Sequence, residues 1–137
     1  MDARLCISYL TIELRESIPV ELRPLMGNRI YGCDDCQLAC PWNRFAVPTP
    51  ETDFLPRHEL DNVSLMDLFS WSEKEFLRRT EGSPIRRIGY ECWLRNIAVA
   101  LGNGPGSEDV IAALKEKTDH SSELVREHAQ WALARQL

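Results

Sequence analysis

Apolar residues in the second half of the chain recur with the period of an α-helix. They stand at positions i, i+3, i+4, i+7 and i+11 and so share one face: Tyr90, Trp93, Leu94, Ile97 and Leu101. Ser83-Pro84, a cap residue followed by proline, is typical of a first helical turn. Gly102 is expected to end the helix. The pattern therefore predicts one long amphipathic helix that begins after Ser83 and ends at Gly102.

Serine residues predict where the other helices of this half begin. They precede helical runs at Ser64, Ser72, Ser107 and Ser122. Ser72 forms a capping box with Glu75, and its helix should run through Arg79. The last two helices should bury small and branched residues, namely Val110, Ile111, Leu114, Val125, Ala129, Ala132 and Leu133.

A short internal repeat links two of these helices. The pattern Leu94-Arg95-x-x-Ala98 recurs 31 residues later as Val125-Arg126-x-x-Ala129. A helix-pair repeat of this kind suggests an α-solenoid of the HEAT type, although the interval is somewhat short for that class. One and a half repeats cannot bury a core alone, so we expect this unit to dock on another part of a protein.

The first half shows weaker periodicity. A four-residue spacing predicts a helix over residues 3–15, carried by Cys6, Leu10 and Leu14. A second short helix is expected over residues 20–26, ended by Gly27. Pro48, Pro50 and Pro56 then exclude helix and central strand from residues 46–63. The predicted units are residues 1–47, a proline-rich connector at 48–63, and a helical unit at 64–137.

Net charge and hydropathy limit the partners and the cellular location that we expect for the protein. The 137 residues carry a formal charge of −5, so the molecule as a whole has no basic footprint for nucleic acid. The longest apolar run is far too short to span a bilayer, and no leader pattern precedes the first helix. We therefore expect a cytoplasmic location with reduced cysteines and no membrane partner.

Three of the five cysteines lie close together in residues 32–44, GCDDCQLACPWNR. Cys33, Cys36 and Cys40 have the spacing C-x2-C-x3-C-P, which is the second part of the bacterial ferredoxin run. The first cysteine of that run would fall at position 30, where Ile30 stands. Cys6 is the obvious candidate to replace it. Cys40 lies one helical turn beyond Cys36, so it can point toward a second 4Fe–4S cluster.

Other interpretations of the cysteines remain open. A zinc site would need a second C-x2-C or a histidine pair, and the three histidines lack ligand spacing. A disulfide would need an oxidising compartment. Two alternative functions follow: a ferredoxin-type electron-transfer module with a helical interaction tail, or a non-enzymatic HEAT-like module with a structural metal. Cys92 matches no motif and is expected to be a small buried residue.

Four segments resemble the C-terminal part of epoxyqueuosine reductase. They are residues 6–13 (CISYLTIE), 27–43 (GNRIYGCDDCQLACPWN), 82–90 (GSPIRRIGY) and 93–96 (WLRN). The resemblance implies reduction of epoxyqueuosine to queuosine in tRNA, with two 4Fe–4S clusters and a cobalamin as cofactors. It implies a mainly α chain in which a ferredoxin-like segment is followed by HEAT-like helices. The chain would then be a fragment of a larger α+β enzyme, inactive by itself and without catalytic residues of its own.

The resemblance also implies roles for individual residues. Cys6, Cys33 and Cys36 would bind one cluster, whose fourth ligand comes from outside this chain, and Cys40 would bind the other cluster. Ser8, Asp34 and Asp35 would lie near the cobalamin. The helices would form part of a tRNA platform. The complete enzyme is expected to be a monomer that receives electrons from an external donor.

Arginines that could contact the tRNA concentrate in one stretch: Arg78, Arg79, Arg86, Arg87 and Arg95. If Arg86 and Arg87 occupy a first helical turn, a phosphate bound there would reverse their unfavourable interaction with the helix dipole. We expect these two to bind tRNA, and Arg95 with Asn96 to make a separate contact. The alternative is a solvated basic face, or ion pairs with Glu81 and Glu91.

Overall fold

The computed structural model describes residues 2–56 and 60–137, and every assigned element in them is helical. The α-helices are α1 (Asp35–Leu38), α2 (Leu65–Phe69), α3 (Glu73–Arg79), α4 (Tyr90–Asn103), α5 (Glu108–Lys117) and α6 (Glu123–Gln136). Shorter 3-10 turns cover Ala3–Leu5, Arg23–Met26, Pro41–Phe45, Thr52–Phe54 and Pro84–Ile88, and a π-helix covers Tyr9–Glu13. The mainly α prediction is confirmed. Residues 57–59 of the expected connector lie outside the described residues.

Three of the four predicted serine caps form as expected. The Oγ atoms of Ser64, Ser72 and Ser107 each accept a hydrogen bond from the backbone N–H three residues later, at 3.0, 3.2 and 3.2 Å. This bond satisfies one of the free donors of a helix start. Ser122 also precedes its helix, but its hydroxyl instead donates to Glu91 at 2.9 Å. The Ser122 side chain therefore ties the start of α6 to α4.

The long helix predicted from Ser83 is divided in two. Ser83 caps a 3-10 turn, Pro84–Ile88, and Gly89 then adopts a φ of 78°. Because this conformation interrupts helical hydrogen bonding and favours glycine, α4 starts afresh at Tyr90. The prediction of one continuous helix was wrong at this point.

The helix predicted over residues 3–15 is also irregular. A 3-10 turn over Ala3–Leu5 ends at Cys6, and the following helical segment widens into the π-helix Tyr9–Glu13. Such widening is rare and is frequent at functional sites. The helix expected over 20–26 is reduced to the 3-10 turn Arg23–Met26, which Gly27 ends as predicted with a φ of 60°.

Helix α4 lies at the centre of the core. Its residues from Cys92 to Gly102 are all buried. Helix α6 packs closely along it, since a Cβ added to Gly102 would lie 2.8 Å from the Cα atom of Ala132. The rings of Trp71 and Trp93 stack with their centroids 5.7 Å apart and anchor the start of α4.

The N-terminal segment packs on the same helix. Leu10, Ile18 and Met26 are buried against Val99 of α4, and Trp131 of α6 borders this cluster. Ile12, Ile30 and Tyr31 pack against the main core. The cysteine-bearing segment and the helical unit therefore share apolar contacts, so α4 can fix the position of the cysteines.

Candidate iron–sulfur site

The four cysteines of the predicted site are accessible thiols. Cys6 and Cys36 are exposed and Cys33 and Cys40 are half-buried, whereas Cys92 is buried as expected. Cys36 lies in α1, and Cys40 precedes the proline of the next 3-10 turn. The sulfurs are thus available to a metal centre from the surface of this chain.

Cys6 lies at the start of the helical segment that includes the π-helix. The backbone N–H groups of Tyr9 and Ser8, and the Ser8 hydroxyl, donate to its sulfur and lower the pKa of the Cys6 thiol. Metal clusters bind the thiolate form, so this environment suits a ligand. Ser8 therefore stabilises the thiolate form of Cys6, independently of the contact with cobalamin that the sequence predicts for it.

The turn between Cys33 and Cys36 is held by backbone geometry and one ion pair. Asp34 adopts a left-handed φ of 58°, and Gly32 has a φ of 73°. Asp35 opens α1 and pairs with Arg29, whose Nη2 lies 2.8 Å from both carboxylate oxygens. Hydrogen bonds from this guanidinium, and secondarily from the Cys33 thiol, lower the pKa of Asp35. Both aspartates are exposed.

Thr11 joins the Cys6 segment to the Cys33 turn. Its Oγ1 donates to the carbonyl of Ile7 at 2.8 Å and accepts from the N–H of Gly32 at 3.0 Å. A Cβ added to Gly32 would lie 3.9 Å from Ser8 Oγ, which confirms how near the two segments are. The fold therefore brings together two regions that are separate in sequence.

Arg95 does not occupy the position expected of an RNA contact. It is fully buried, and its five N–H donors all have partners: the carbonyls of Leu10, Leu14 and Glu16 and, twice, Asn96 Oδ1. Burial lowers the pKa of its guanidinium. The prediction that Arg95 binds tRNA was wrong, because no part of the side chain is left to face a phosphate.

Asn96 is also fully buried, and its expected RNA contact is likewise ruled out. Its Nδ2 donates to the carbonyls of Thr11 at 2.8 Å and Ile30 at 2.9 Å. These roles of Asn96 and Thr11 were not predicted from the sequence. One usable signal existed, since Arg95 and Asn96 stand between Leu94 and Ile97 on a helix whose middle is otherwise apolar.

Arg86 and Arg87 are exposed, but they do not lie in a first α-helical turn. They belong to the five-residue turn Pro84–Ile88, so the expected gain from a helix dipole does not apply. Arg87 pairs with Glu13 rather than with Glu81 or Glu91. The Arg15 guanidinium donates to the carbonyl of Arg87 at 2.9 Å. The turn is therefore fastened to the N-terminal segment.

Two further features of the described ranges, 2–56 and 60–137, limit what the chain can do by itself. No three side chains among His, Cys, Asp and Glu gather there so as to hold one metal ion. No helix in that part of the chain is both long and apolar enough to cross a membrane. The assignment of Cys6, Cys33, Cys36 and Cys40 as cluster ligands stays a prediction.

Comparison with known protein families first indicates the class of protein to which the N-terminal segment is similar. Residues 1–43 match the family described as a 4Fe-4S double cluster binding domain. All four predicted ligand cysteines lie within this range. The match supports iron–sulfur clusters as cofactors of this class of protein.

Curated relatives then identify the particular protein that the chain resembles. It is 66% identical over 135 residues to epoxyqueuosine reductase of Pseudomonas aeruginosa, covering 98% of this chain and 37% of the relative. It is 62% identical over 138 residues to epoxyqueuosine reductase of Escherichia coli, covering 100% of this chain and 36% of the relative. The resemblance to epoxyqueuosine reductase is confirmed over nearly the whole chain, which spans little more than a third of these relatives.

Solved structures agree with the sequence relatives. A crystal structure of epoxyqueuosine reductase with an epoxyqueuosine-modified tRNA-Tyr stem loop superposes with a TM-score of 0.89 at 29% identity, covering 98% of this chain and 36% of that one. A selenomethionine-labelled epoxyqueuosine reductase gives a TM-score of 0.83 at 29% identity, with the same coverages.

Proposed function

We propose that this chain is the C-terminal part of an epoxyqueuosine reductase, which reduces epoxyqueuosine to queuosine in tRNA. The observation that carries the proposal is the 66% identity to such an enzyme over 98% of the chain. That stretch includes the cysteine run and the arginine turn. The rest of the enzyme would supply the remaining cluster ligands and most of the cofactor site.

In this proposal the chain contributes ligands to two clusters in a ferredoxin-like segment. Cys6, Cys33 and Cys36 hold one cluster with a fourth ligand from outside the chain, and Cys40 belongs to the other. The donor set fits, because four accessible thiols lie in a double-cluster family match. The N–H donors at Cys6 favour its thiolate form.

The cofactors, when bound, would supply one-electron transfer from the clusters and reductive chemistry from cobalamin. Residues of this chain would hold and shield them. Ser8 and Gly32 are neighbours, and Asp34 and Asp35 follow in the same turn. We propose that this turn borders the cobalamin. The two exposed carboxylates would supply acceptors for hydrogen-bond donors at the edge of a corrin.

The helical unit is proposed to be HEAT-like and to contact the tRNA. The support for HEAT-like helices is the sequence repeat, although its two arginines differ in their contacts. Arg126 donates to carbonyls of the loop before its own helix, whereas Arg95 donates to carbonyls of the N-terminal segment. Arg86 and Arg87 remain the exposed cations proposed for RNA. The similar crystal structure with a tRNA stem loop supports this partner. An external electron donor, a monomeric complete enzyme and a cytoplasmic location complete the proposal.

A chimera tests the proposed function. This chain would replace the matching segment of the Pseudomonas aeruginosa relative, and the gene would be expressed in bacteria that lack their own epoxyqueuosine reductase. Mass spectrometry of digested tRNA should show queuosine, and a Cys36→Ser chimera should leave epoxyqueuosine. If the chimera binds two clusters but never converts epoxyqueuosine, the electron-transfer module becomes the better account.

A further inference from the structure

Asn96 connects two backbone segments through a single nitrogen atom. Its Nδ2 donates to Thr11 and Ile30 carbonyls, and its Oδ1 accepts two hydrogen bonds from Arg95. These four bonds use the full capacity of a buried amide. The orientation of the side chain is therefore fixed, because a rotated amide would place its oxygen against two carbonyl oxygens.

The bonded segments are those that carry the predicted ligands. Thr11 lies five residues after Cys6, and Ile30 lies three residues before Cys33. Thr11 adds a second link, because its hydroxyl binds the N–H of Gly32, the residue before Cys33. A hydrogen-bond network thus runs from the middle of α4 to the backbone near Cys6 and near Cys33, and each side chain in it has its partners.

We propose that Asn96 and Thr11 are positioning residues that set the spacing between Cys6 and the Cys33–Cys36 turn, and so hold the cluster. The inference rests on the proposed function, since it assumes that these cysteines bind iron. Residues outside the ligand set of a metal centre can orient the ligands through hydrogen bonds, and their substitution commonly lowers metal affinity by about 10–100-fold. Here Asn96 comes from α4, far from the predicted ligand cysteines in sequence, whereas Thr11 lies in the same N-terminal segment as Cys6.

A second asparagine on the same helix supplies a matched control. Asn103 stands two helical turns after Asn96, and its Nδ2 donates to the carbonyls of Arg23 at 2.7 Å and Gly27 at 3.1 Å. It therefore makes the same kind of bridge to a different part of the N-terminal segment. Asn103 is half-buried where Asn96 is fully buried. If such asparagine bridges had a purely structural role, the two positions would be equivalent for the cluster.

The test compares Asn96→Asp with Asn103→Asp in the chimera. Asn96→Asp keeps the size of the side chain and an acceptor for Arg95 but removes the donor to Thr11 and Ile30. We expect iron to leave the cluster of Cys33 for a chelator roughly tenfold faster, with an altered paramagnetic resonance signal. Asn103→Asp should leave both measurements unchanged. Equal behaviour of the two variants, whether both lose iron faster or neither does, would overturn the proposal.

Two milder substitutions, Thr11→Val and its control Thr80→Val, test the proposal if the Asn96→Asp variant does not fold. Thr11→Val removes only the hydroxyl that accepts from Gly32, and Thr80→Val removes a buried hydroxyl bonded to Phe76 at the end of α3. Thr11→Val should shift the reduction potential and chelator sensitivity of the same cluster, and Thr80→Val should shift neither. An unshifted Thr11→Val overturns the inference while the proposed function stands. A wild-type chimera without clusters would instead refute the proposed function.

Discussion

The backbone N–H of Ile18 donates to Nε2 of His128 at 3.2 Å, inside the core between the N-terminal segment and α6. The other ring nitrogen, Nδ1, lies 2.7 Å from the carbonyl of Leu124. A ring that accepts at Nε2 and donates at Nδ1 is the neutral tautomer. Both residues are fully buried, so the contact depends on His128 staying uncharged.

This contact predicts loss of stability in mild acid. Burial lowers the pKa of His128 from 6.5 to about 4. Because the unfolded chain takes up a proton first, stability is complete above pH 6.5 and falls as the pH approaches 4. Between pH 7 and 5 the loss should be about 2 kcal/mol. Urea unfolding at both pH values measures it.

Two substitutions separate His128 from other acid effects. His128→Gln keeps a hydrogen-bonding side chain without a titratable ring, so its unfolding free energy should change little between pH 7 and 5. His120→Gln, which removes an imidazole at a half-buried position, is the matched control. The same acid loss in His128→Gln as in the wild type would refute the assignment.

Gly102 permits the close approach of α4 and α6. An added Cβ would lie 2.8 Å from backbone Cα of Ala132 and 2.8 Å from the ring of Trp131. Gly102→Ala should therefore destabilise the chain by about 1–3 kcal/mol. Gly104→Ala is the control, because its Cβ would lie 3.6 Å from the nearest atom and its φ of −84° suits any residue. Equal melting temperatures for the two variants would contradict this packing.

Arg86 and Arg87 provide a test of RNA binding in the chimera. Changing both to Glu should weaken tRNA binding and lower the slope of log affinity against log salt by about 1–2, one for each lost phosphate contact. Turnover of a minimal stem loop should suffer less, because the cysteine site is untouched. Lys74→Glu with Lys115→Glu makes the same charge change on two exposed residues elsewhere.

Two outcomes would contradict the proposal that Arg86 and Arg87 bind tRNA. If the Arg86 and Arg87 variant keeps wild-type affinity across a salt series while its circular dichroism is unchanged, this turn does not bind tRNA. If the control variant on Lys74 and Lys115 loses as much affinity, the effect is one of net charge.

Local chemistry made much of the fold predictable. Ser64, Ser72 and Ser107 cap their helices because a serine hydroxyl and the first N–H groups are adjacent in sequence. The break at Gly89 was not predicted, since Ser83-Pro84 is a typical helix start and was joined to the apolar pattern that begins at Tyr90. A glycine between Ile88 and Tyr90 was the available sign.

For the candidate site, the sequence predicts a set of ligands but not the packing behind them. The spacing of Cys33, Cys36 and Cys40 is a local pattern, whereas the burial of Arg95 depends on carbonyls about eighty residues away. A charged residue is normally exposed, so the sequence favoured a surface role. Backbone carbonyls carry no sequence signature, which is why neither Arg95 nor Asn96 could be placed correctly.

Iron counting with paramagnetic resonance on cysteine variants of the chimera tests the central claim most directly. The wild-type chimera should hold two 4Fe–4S clusters. Cys33→Ser should lose one signal and Cys40→Ser the other, because the proposal assigns the two thiolates to different clusters. Loss of the same signal in both variants, or a folded wild-type chimera that binds no iron, would contradict the account.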